Sequence, residues 1–207
     1  MSTQLYFVDY DSDNEECPVY TGGKEFKDGK WTNDHEWNYI DPNPFKFTVT
    51  SNYSLKIDES KLNIDYCEDF VSKEFLDLLD YTEVEYRAIP YEIILRGNKK
   101  TIKDYFILLL VGRFFLLDET KSDFSLAIDP NTHGILMSKI DERKPVYDII
   151  NNFYIKNIRH PNFFICEEID KIICTEEFKN ISIERNIIGI KFSKIEDGFF
   201  YDAWGGL

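Results

Sequence analysis

The strongest catalytic pattern in this sequence pairs a carboxylate at the start of one apolar run with a Glu-x-Lys at the end of the next. Asp104 opens "DYFILLLV", and Glu119 and Lys121 follow "RFFLL". Metal-dependent nucleases place such groups on adjacent strands, where the acids hold Mg²⁺ and the lysine assists the attacking water. Charged residues also commonly end apolar hairpins, and a net charge of −14 opposes a polyanionic substrate. We therefore keep a metal-dependent nuclease as an alternative to the main hypothesis.

A second acidic pattern lies near the N-terminus, in "DYDSDNEE". Its alternating acids resemble the start of a calcium-binding EF-hand loop. That loop needs Gly at its sixth position and Glu at its twelfth, and neither requirement is met when counting from Asp9 or from Asp11. We interpret this stretch as a solvated acidic segment.

Other chemical motifs are missing from the sequence. The three histidines, His35, His133 and His160, are far apart and none belongs to an HExxH motif. There is no GxGxxG, no P-loop and no GxSxG. The cysteines, at positions 17, 67, 166 and 174, form no CxxC and indicate reduced packing residues. We predict no catalytic residue, no metal and no cofactor.

Charge and hydropathy narrow the class of protein further. With 38 acidic against 24 basic residues, the chain should avoid nucleic acid and favour a basic partner. The start of the sequence lacks the charged and apolar regions of a signal peptide. The longest apolar stretch is interrupted by Gly112 and Arg113, so it is too short to span a membrane. We expect a cytoplasmic location and no membrane association.

The strands and helices expected from the sequence indicate a single α+β domain over residues 1–207. We predict a mixed, largely antiparallel sheet flanked by short helices. Residues 1–46 are expected to be irregular apart from a strand in "QLYFV", residues 47–195 to form the core, and residues 196–207 to form an aromatic, glycine-rich tail. The core strands are predicted in "FTVTS", "VEYRAIPYEIIL", "KDYFILLLV" and "RFFLLD". A helix is predicted around "PVYDIINNFYI".

One phrase of the core occurs twice. "FVSKEFLDLL" and "ICTEEFKNIS" each predict the end of a strand, a helix N-cap, acids in the first turn and an apolar helix face. Ser72 and Thr175 are the two caps, and they lie 103 positions apart. We interpret both phrases as packing units, and we favour local convergence over duplication because such units recur readily.

The second phrase belongs to a longer stretch, "FFICEEIDKIICTEEFKNISIERNIIGIKFSKI", that resembles the C-terminal signature of a family of bacterial immunity proteins from polymorphic toxin systems. Its elements are a strand with Phe164, an Ile-rich strand, the helix capped by Thr175, and a "GhxF" strand at Gly189 to Phe192. Upstream, Tyr105, Asp118 and Ser122 fit the family's middle section. The resemblance covers residues 45–195, and the first 44 residues match only loosely.

The resemblance implies a cytoplasmic antidote that binds and neutralises a cognate toxin domain without catalysis. An adaptor with a non-toxin partner is a further alternative, and the oligomeric state is left open. For the contact with a basic toxin domain we expect an acidic rim around tryptophan anchors in the N-terminal segment. The predicted partner-binding residues are Asp9, Asp11, Asp13, Glu15, Glu16, Trp31, Asp34, Glu36 and Trp37.

Overall fold

The computed structural model describes most of the C-terminal three-quarters of the chain and parts of the N-terminal quarter. The described residues are 4–11, 13, 21–26, 49–53, 64–65, 70–95, 99–138, 142–203 and 205.

Strands dominate the fold, and two short helices interrupt them. The elements are β1 (Leu5–Tyr10), β2 (Thr21–Phe26), β3 (Val49–Tyr53), β4 (Ile64–Asp65), β5 (Phe70–Ser72), α1 (Lys73–Tyr81), β6 (Tyr86–Leu95), β7 (Lys99–Lys100), β8 (Tyr105–Leu110), β9 (Arg113–Phe114), β10 (Asp123–Leu126), β11 (Tyr147–Phe153), β12 (Phe163–Cys166), β13 (Lys171–Thr175), α2 (Glu176–Glu184), β14 (Ile190–Lys194) and β15 (Phe199–Asp202).

The strands form three sheets. One has the order β14-β1-β13-β12-β9, the second has the order β2-β3-β6-β8-β5-β4 with β7 paired to β6, and the third has the order β10-β11-β15. The β3–β6 and β12–β9 pairs are parallel, and the other named pairs are antiparallel. The predicted α+β class with a mixed, largely antiparallel sheet is confirmed.

The two repeated phrases fold into the same unit, a split β-α-β. In the first unit, α1 connects β5 to β6, and β8 lies between these strands, antiparallel to both. In the second unit, α2 connects β13 to β14, and β1 lies between them in the same way. The predicted order of strand, capped helix and strand is confirmed in both places. The central strand of the first unit, β8, follows β6 in the sequence, whereas that of the second unit, β1, precedes both of its neighbours by a long stretch of chain.

The helix starts of the two units match in detail. Ser72 and Thr175 are the N-caps, and each side-chain oxygen accepts a hydrogen bond from the backbone N–H three residues later. In each unit, the first helical residue also donates its N–H to the backbone carbonyl of the residue that precedes the central strand. These bonds run from Lys73 to the Asp104 carbonyl and from Glu176 to the Gln4 carbonyl, both at 3.1 Å.

The helix ends also match. After α1, Glu83 has a φ of 55°, and after α2, Asn186 has a φ of 53°. This left-handed conformation reverses the chain and lets the following N–H groups reach back to the last helical carbonyls. The bonds from Val84 to the Leu79 carbonyl and from Ile187 to the Ser182 carbonyl are equivalent, at 2.9 and 3.0 Å. The likeness of the two phrases therefore extends over the whole helix and its exit turn.

The two helices pack against each other over a shared aromatic cluster. The Phe163 ring of β12 stacks on Phe178 with centroids 4.6 Å apart and meets Phe75 edge-on at 5.8 Å. All three side chains are fully buried. Arg185, at the end of α2, donates to the Asp77 carbonyl of α1 at 3.4 Å. Arg185 also lies over the ring of Tyr81, the last residue of α1. Because the helix starts meet at Phe75 and Phe178 and the helix ends meet at Tyr81 and Arg185, the helices run side by side in the same direction.

A second core lies under the sheet of β10, β11 and β15, where the predicted helix "PVYDIINNFYI" is wrong. Residues 147–153 form β11, which pairs with strands on both sides. The β10–β11 register shifts twice, so β11 carries extra residues that break the alternation of a regular strand. Its buried side chains, Tyr147, Ile150 and Phe153, consequently recur every third residue, a spacing that imitates a helix.

Two other expectations need correction. The "RFFLLD" run contributes a two-residue strand, because after Phe114 the backbone turns to other partners and Leu117 donates its N–H to the buried Glu168 carboxylate at 2.7 Å. Residues 21–26, expected to be irregular, form β2 and pair with β3. The aromatic, glycine-rich tail contains β15, which pairs with β11.

Candidate functional site

The N-terminal acids that the structure describes lie at the end of β1. Asp13 pairs with Lys191 at 3.0 Å, and Asp9 lies 3.9 Å from Lys171. Asp11 donates its backbone N–H to the Gly189 carbonyl at 3.2 Å. The hydrogen bond with Asp13, assisted by the nearby acids, raises the pKa of the Lys191 ammonium. Two of these three predicted contact residues are therefore partly neutralised by lysines of the same chain.

The remaining residues of the predicted contact site lie outside the described residues. They are Glu15, Glu16, Trp31, Asp34, Glu36 and Trp37.

The structure separates the groups of the nuclease alternative. Asp104 precedes β8 in one sheet, whereas Glu119 and Lys121 lie in a turn that follows β9 of another sheet. Glu119 accepts a hydrogen bond from the Tyr147 hydroxyl at 2.9 Å. Lys121 pairs with Asp118 at 2.9 Å. The adjacent strands on which that mechanism depends are not formed here, and the Glu-x-Lys side chains bond to structural neighbours.

The turn around Asp118 contains two of the residues on which the sequence resemblance rests. The Asp118 carboxylate accepts a hydrogen bond from the Thr120 hydroxyl at 2.6 Å, and the bond from Lys121 is the main cause that lowers its pKa to about 2. Its backbone N–H donates to the Tyr154 carbonyl at 2.7 Å, and the Tyr154 N–H donates to the Ser122 hydroxyl at 3.0 Å. Asp118 and Ser122 thus fasten this turn to the end of β11. This arrangement gives both of them a structural role.

A buried polar pair lies beneath the same region. The Cys166 thiol donates to the Glu168 carboxylate at 3.2 Å, and both residues are buried. Burial raises the pKa of the Cys166 thiol well above its ordinary value, and the nearby Glu168 charge raises it further. A thiol held protonated in this way is a poor nucleophile. This observation agrees with the expectation that the cysteines are packing residues.

His160 borders two open grooves but makes only local contacts. One groove has a volume of about 410 Å³ and extends past Gln4 and Lys194, and the other reaches Thr82 at the end of α1. The His160 Nδ1 lies 3.0 Å from the Pro161 carbonyl, and its ring rests against Phe164 with centroids 5.0 Å apart. These contacts fit a packing role for the ring.

Four of the exposed large apolar residues of the described chain lie on one hairpin at residues 127–138. Ile128 pairs with Ile135 across it, and its turn is fixed by the Asp129 carboxylate, which accepts the Asn131 N–H at 2.8 Å. Between 39% and 57% of each of four neighbouring side chains is exposed, which is high for such large apolar groups. They are Ile128, Ile135, Leu136 and Met137.

A second notable surface combines the two helices, and we call it the helix-pair face. Tyr81 and Ile183 protrude from it with 65% and 60% of their surface exposed. The exposed carboxylates around them come from both helices and their exit turns. They are Glu74, Asp77, Asp80, Glu83, Glu176, Glu177 and Glu184. Sequence reasoning missed this surface because each phrase supplies only half of it.

The cations of the helix-pair face are occupied within the chain. Each contacts a carboxylate or an aromatic ring nearby: Lys73 bonds to Asp77, Lys103 pairs with Glu74 at 3.4 Å, Lys179 lies 4.0 Å from the Tyr6 ring centroid, and Arg185 lies 4.5 Å from that of Tyr81. Three acids of this face, in contrast, have no ion-pair partner among the described residues: Glu83, Glu177 and Glu184.

Comparison with protein-family models and with curated proteins finds no match for this chain. Within the described part of the chain, no three His, Cys, Asp or Glu side chains come together in a way that could hold a metal ion. The same residues include no helix with the length and apolar character needed to cross a bilayer. The function is therefore inferred from the surfaces described above and from the resemblance of the sequence to bacterial immunity proteins.

Proposed function

We propose that this protein is a cytoplasmic immunity protein that binds and neutralises a cognate toxin domain of a bacterial polymorphic toxin system. The biological role comes from the family resemblance of residues 45–195. The observation that carries the proposal is the exposed apolar cluster of the 127–138 hairpin. Exposed apolar groups gathered on one hairpin support a protein interaction surface, because their burial against a partner removes them from water.

The charge of the chain specifies the kind of partner. A net charge of −14 attracts a basic toxin domain and accelerates its capture, an advantage for an antidote that must act before damage occurs. Electrostatic steering makes the association rate fall as salt rises from about 50 to about 500 mM NaCl. The N-terminal acids and the tryptophans Trp31 and Trp37 remain proposed contacts of this complex.

The test is co-expression of this protein with the product of the neighbouring gene. We expect the two proteins to co-purify and expect this protein to restore growth to cells that express the neighbouring product alone at a toxic level. Co-purification without protection would favour an adaptor, and the absence of any complex would contradict the proposal. Mg²⁺-dependent cleavage of plasmid or RNA by the purified protein would favour the nuclease alternative.

A further inference from the structure

We propose that the helix-pair face is the surface that captures the basic partner, with its unpaired carboxylates steering the approach and Tyr81 and Ile183 serving as contact anchors. This inference rests on the proposed function and assigns to it a surface made from both repeated units. The partner chemistry is a cationic protein surface, in which Lys and Arg side chains surround an apolar group.

The acids that can attract a partner are those whose charge is not already paired with a lysine of the same chain. An acid already paired with a lysine of its own chain contributes little to the field at a distance, because the opposite charges cancel. Asp9 and Asp13, at the end of β1, have such lysines within 3.9 and 3.0 Å. Glu83, Glu177 and Glu184 have none among the described residues. The helix pair therefore carries three acids without an ion-pair partner among the described residues, whereas Asp9 and Asp13 of the predicted N-terminal site are paired.

The backbone at the ends of the two helices adds negative charge to this face. The last carbonyls of a helix carry partial negative charge, and the two helices run in the same direction, so these ends lie together. Glu83 and Glu184 lie at these ends. Helix dipoles and side chains thus add to one another at the same edge of the face. A cation approaching this edge meets attraction from both sources.

Tyr81 and Ile183 are placed to serve as the contact anchors. The Arg185 guanidinium lies over the Tyr81 ring and also donates to the Asp77 carbonyl, so the ring is held in place while 65% of the residue remains exposed. A side chain fixed before binding loses less entropy when a partner covers it. Ile183 adds an aliphatic group on the neighbouring helix. Apolar anchors surrounded by charge are the usual arrangement of an energetically important contact.

A first experiment tests the charge distribution without any knowledge of the partner. The full chain, labelled with ¹⁵N, is exposed in turn to a cationic and to a neutral nitroxide of equal size, and the paramagnetic relaxation of each amide is measured. We expect the excess effect of the cationic probe to be largest at residues 80–85 and 176–186. A larger excess at residues 9–13, or an even distribution, would overturn the inference.

A second experiment measures binding to the product of the neighbouring gene. The variant combines Glu83→Gln, Glu177→Gln and Glu184→Gln, and the matched control combines Asp170→Asn, Glu196→Gln and Asp197→Asn. Both variants remove three exposed acids, so they change the net charge equally. We expect the helix-pair variant to slow association about fivefold at low salt and to flatten its salt dependence, and the control to change it less than about twofold.

The anchors are tested by dissociation. Ile183→Ala and Tyr81→Ala should each speed dissociation about tenfold, whereas Tyr81→Phe, which keeps the ring under Arg185, should leave it nearly unchanged. If wild type binds and the two charge variants behave alike, the inference is wrong and the proposed function stands. If wild type does not bind at all, the proposed function itself is wrong.

Discussion

Phe75 and Phe178 occupy the same position in two helices that begin 103 residues apart, and their rings meet with centroids 6.2 Å apart. Each is the residue whose backbone N–H bonds to the N-cap of its helix. The capping hydrogen bond therefore fixes the point from which each ring enters the shared core. The joint between the two units is thus built from equivalent residues.

This contact predicts energetic coupling between the two helices. We expect Phe75→Leu and Phe178→Leu to destabilise the protein together by an amount that differs from the sum of their separate effects by about 0.5–1.5 kcal/mol. Chemical denaturation of the wild type, both single variants and the double variant measures the difference. Phe153→Leu, in the second core, is the control, and its effect should add simply to that of Phe75→Leu.

The two caps should contribute about equally to stability. Ser72→Ala should lower the free energy of unfolding by about 1 kcal/mol through the lost cap. Thr175→Ala should lower it by a similar amount, because each hydroxyl also bonds to a second side chain: Thr175 donates to Asn162 at 2.7 Å, and Ser72 bonds to the Glu74 carboxylate. Thermal or urea unfolding measures both effects, and Thr175→Ser is the control that keeps the hydroxyl.

Both caps are buried, so neither variant should change partner affinity in a sample that is folded. A folded Thr175→Ala protein that had lost binding would place the cap itself in the contact site.

The Asp118 carboxylate predicts a pH dependence of stability. Its pKa of about 2 in the folded protein lies below the ordinary value of about 3.9, chiefly because Lys121 bonds to the ionised form. The stabilisation is fully present above about pH 4 and is lost as the pH falls towards 2. Unfolding measured across this window should show a weaker pH dependence for Asp118→Asn than for wild type. Equal slopes for the two proteins would contradict the assignment.

The groups of the nuclease alternative should be dispensable for protection. Replacement of Asp104, Glu119 and Lys121 by Ala should leave growth protection intact in a protein that folds, because Glu119 and Lys121 bond to structural neighbours. Circular dichroism checks the fold. Glu119→Gln, which can still accept the Tyr147 hydrogen bond, is the control for destabilisation. Protection lost by a well-folded triple variant would revive the enzymatic reading.

The 127–138 hairpin should contribute to partner affinity. Leu136→Ser combined with Met137→Ser should weaken the complex by about tenfold or more. Because these residues are only 39% and 40% exposed, the stability of the variant is measured alongside. Isothermal titration calorimetry measures the affinity. Ile102→Ser is the matched control, since Ile102 is 76% exposed and lies elsewhere in the chain. An equal loss for the control would mean that the hairpin has no special role.

Local signals were readable from the sequence and long-range ones were not. The helices beginning after Ser72 and Thr175 were predicted correctly because a cap and its first turn are encoded within four residues. β11 was misjudged because its bulges place buried residues at a helical spacing. Those bulges depend on β10, which precedes β11 by about 20 residues, so no local window contains the information.

The same distinction applies to the candidate site: residue types are evident from the sequence, but contacts between distant residues are not. Asp9, Asp11 and Asp13 could be identified as acids, but the lysine partners of Asp9 and Asp13 come from β13 and β14 and are evident only in the fold. The helix-pair face was inaccessible to sequence reasoning because its two halves adjoin only through tertiary packing. The hairpin was overlooked because hydropathy alone does not distinguish an exposed apolar residue from a buried one.

The origin of the central strands has a consequence for the order of folding. The first unit draws β5, α1, β6 and β8 from one continuous stretch, so it can close as soon as that stretch has been synthesised. The second must bring β1 together with β13 and β14 across more than 160 intervening residues, a contact with a larger entropic penalty. During synthesis, β1 therefore has both of its edges unpaired until β13 and β14 have emerged. The surface shared by the two helices forms only after this second unit has closed.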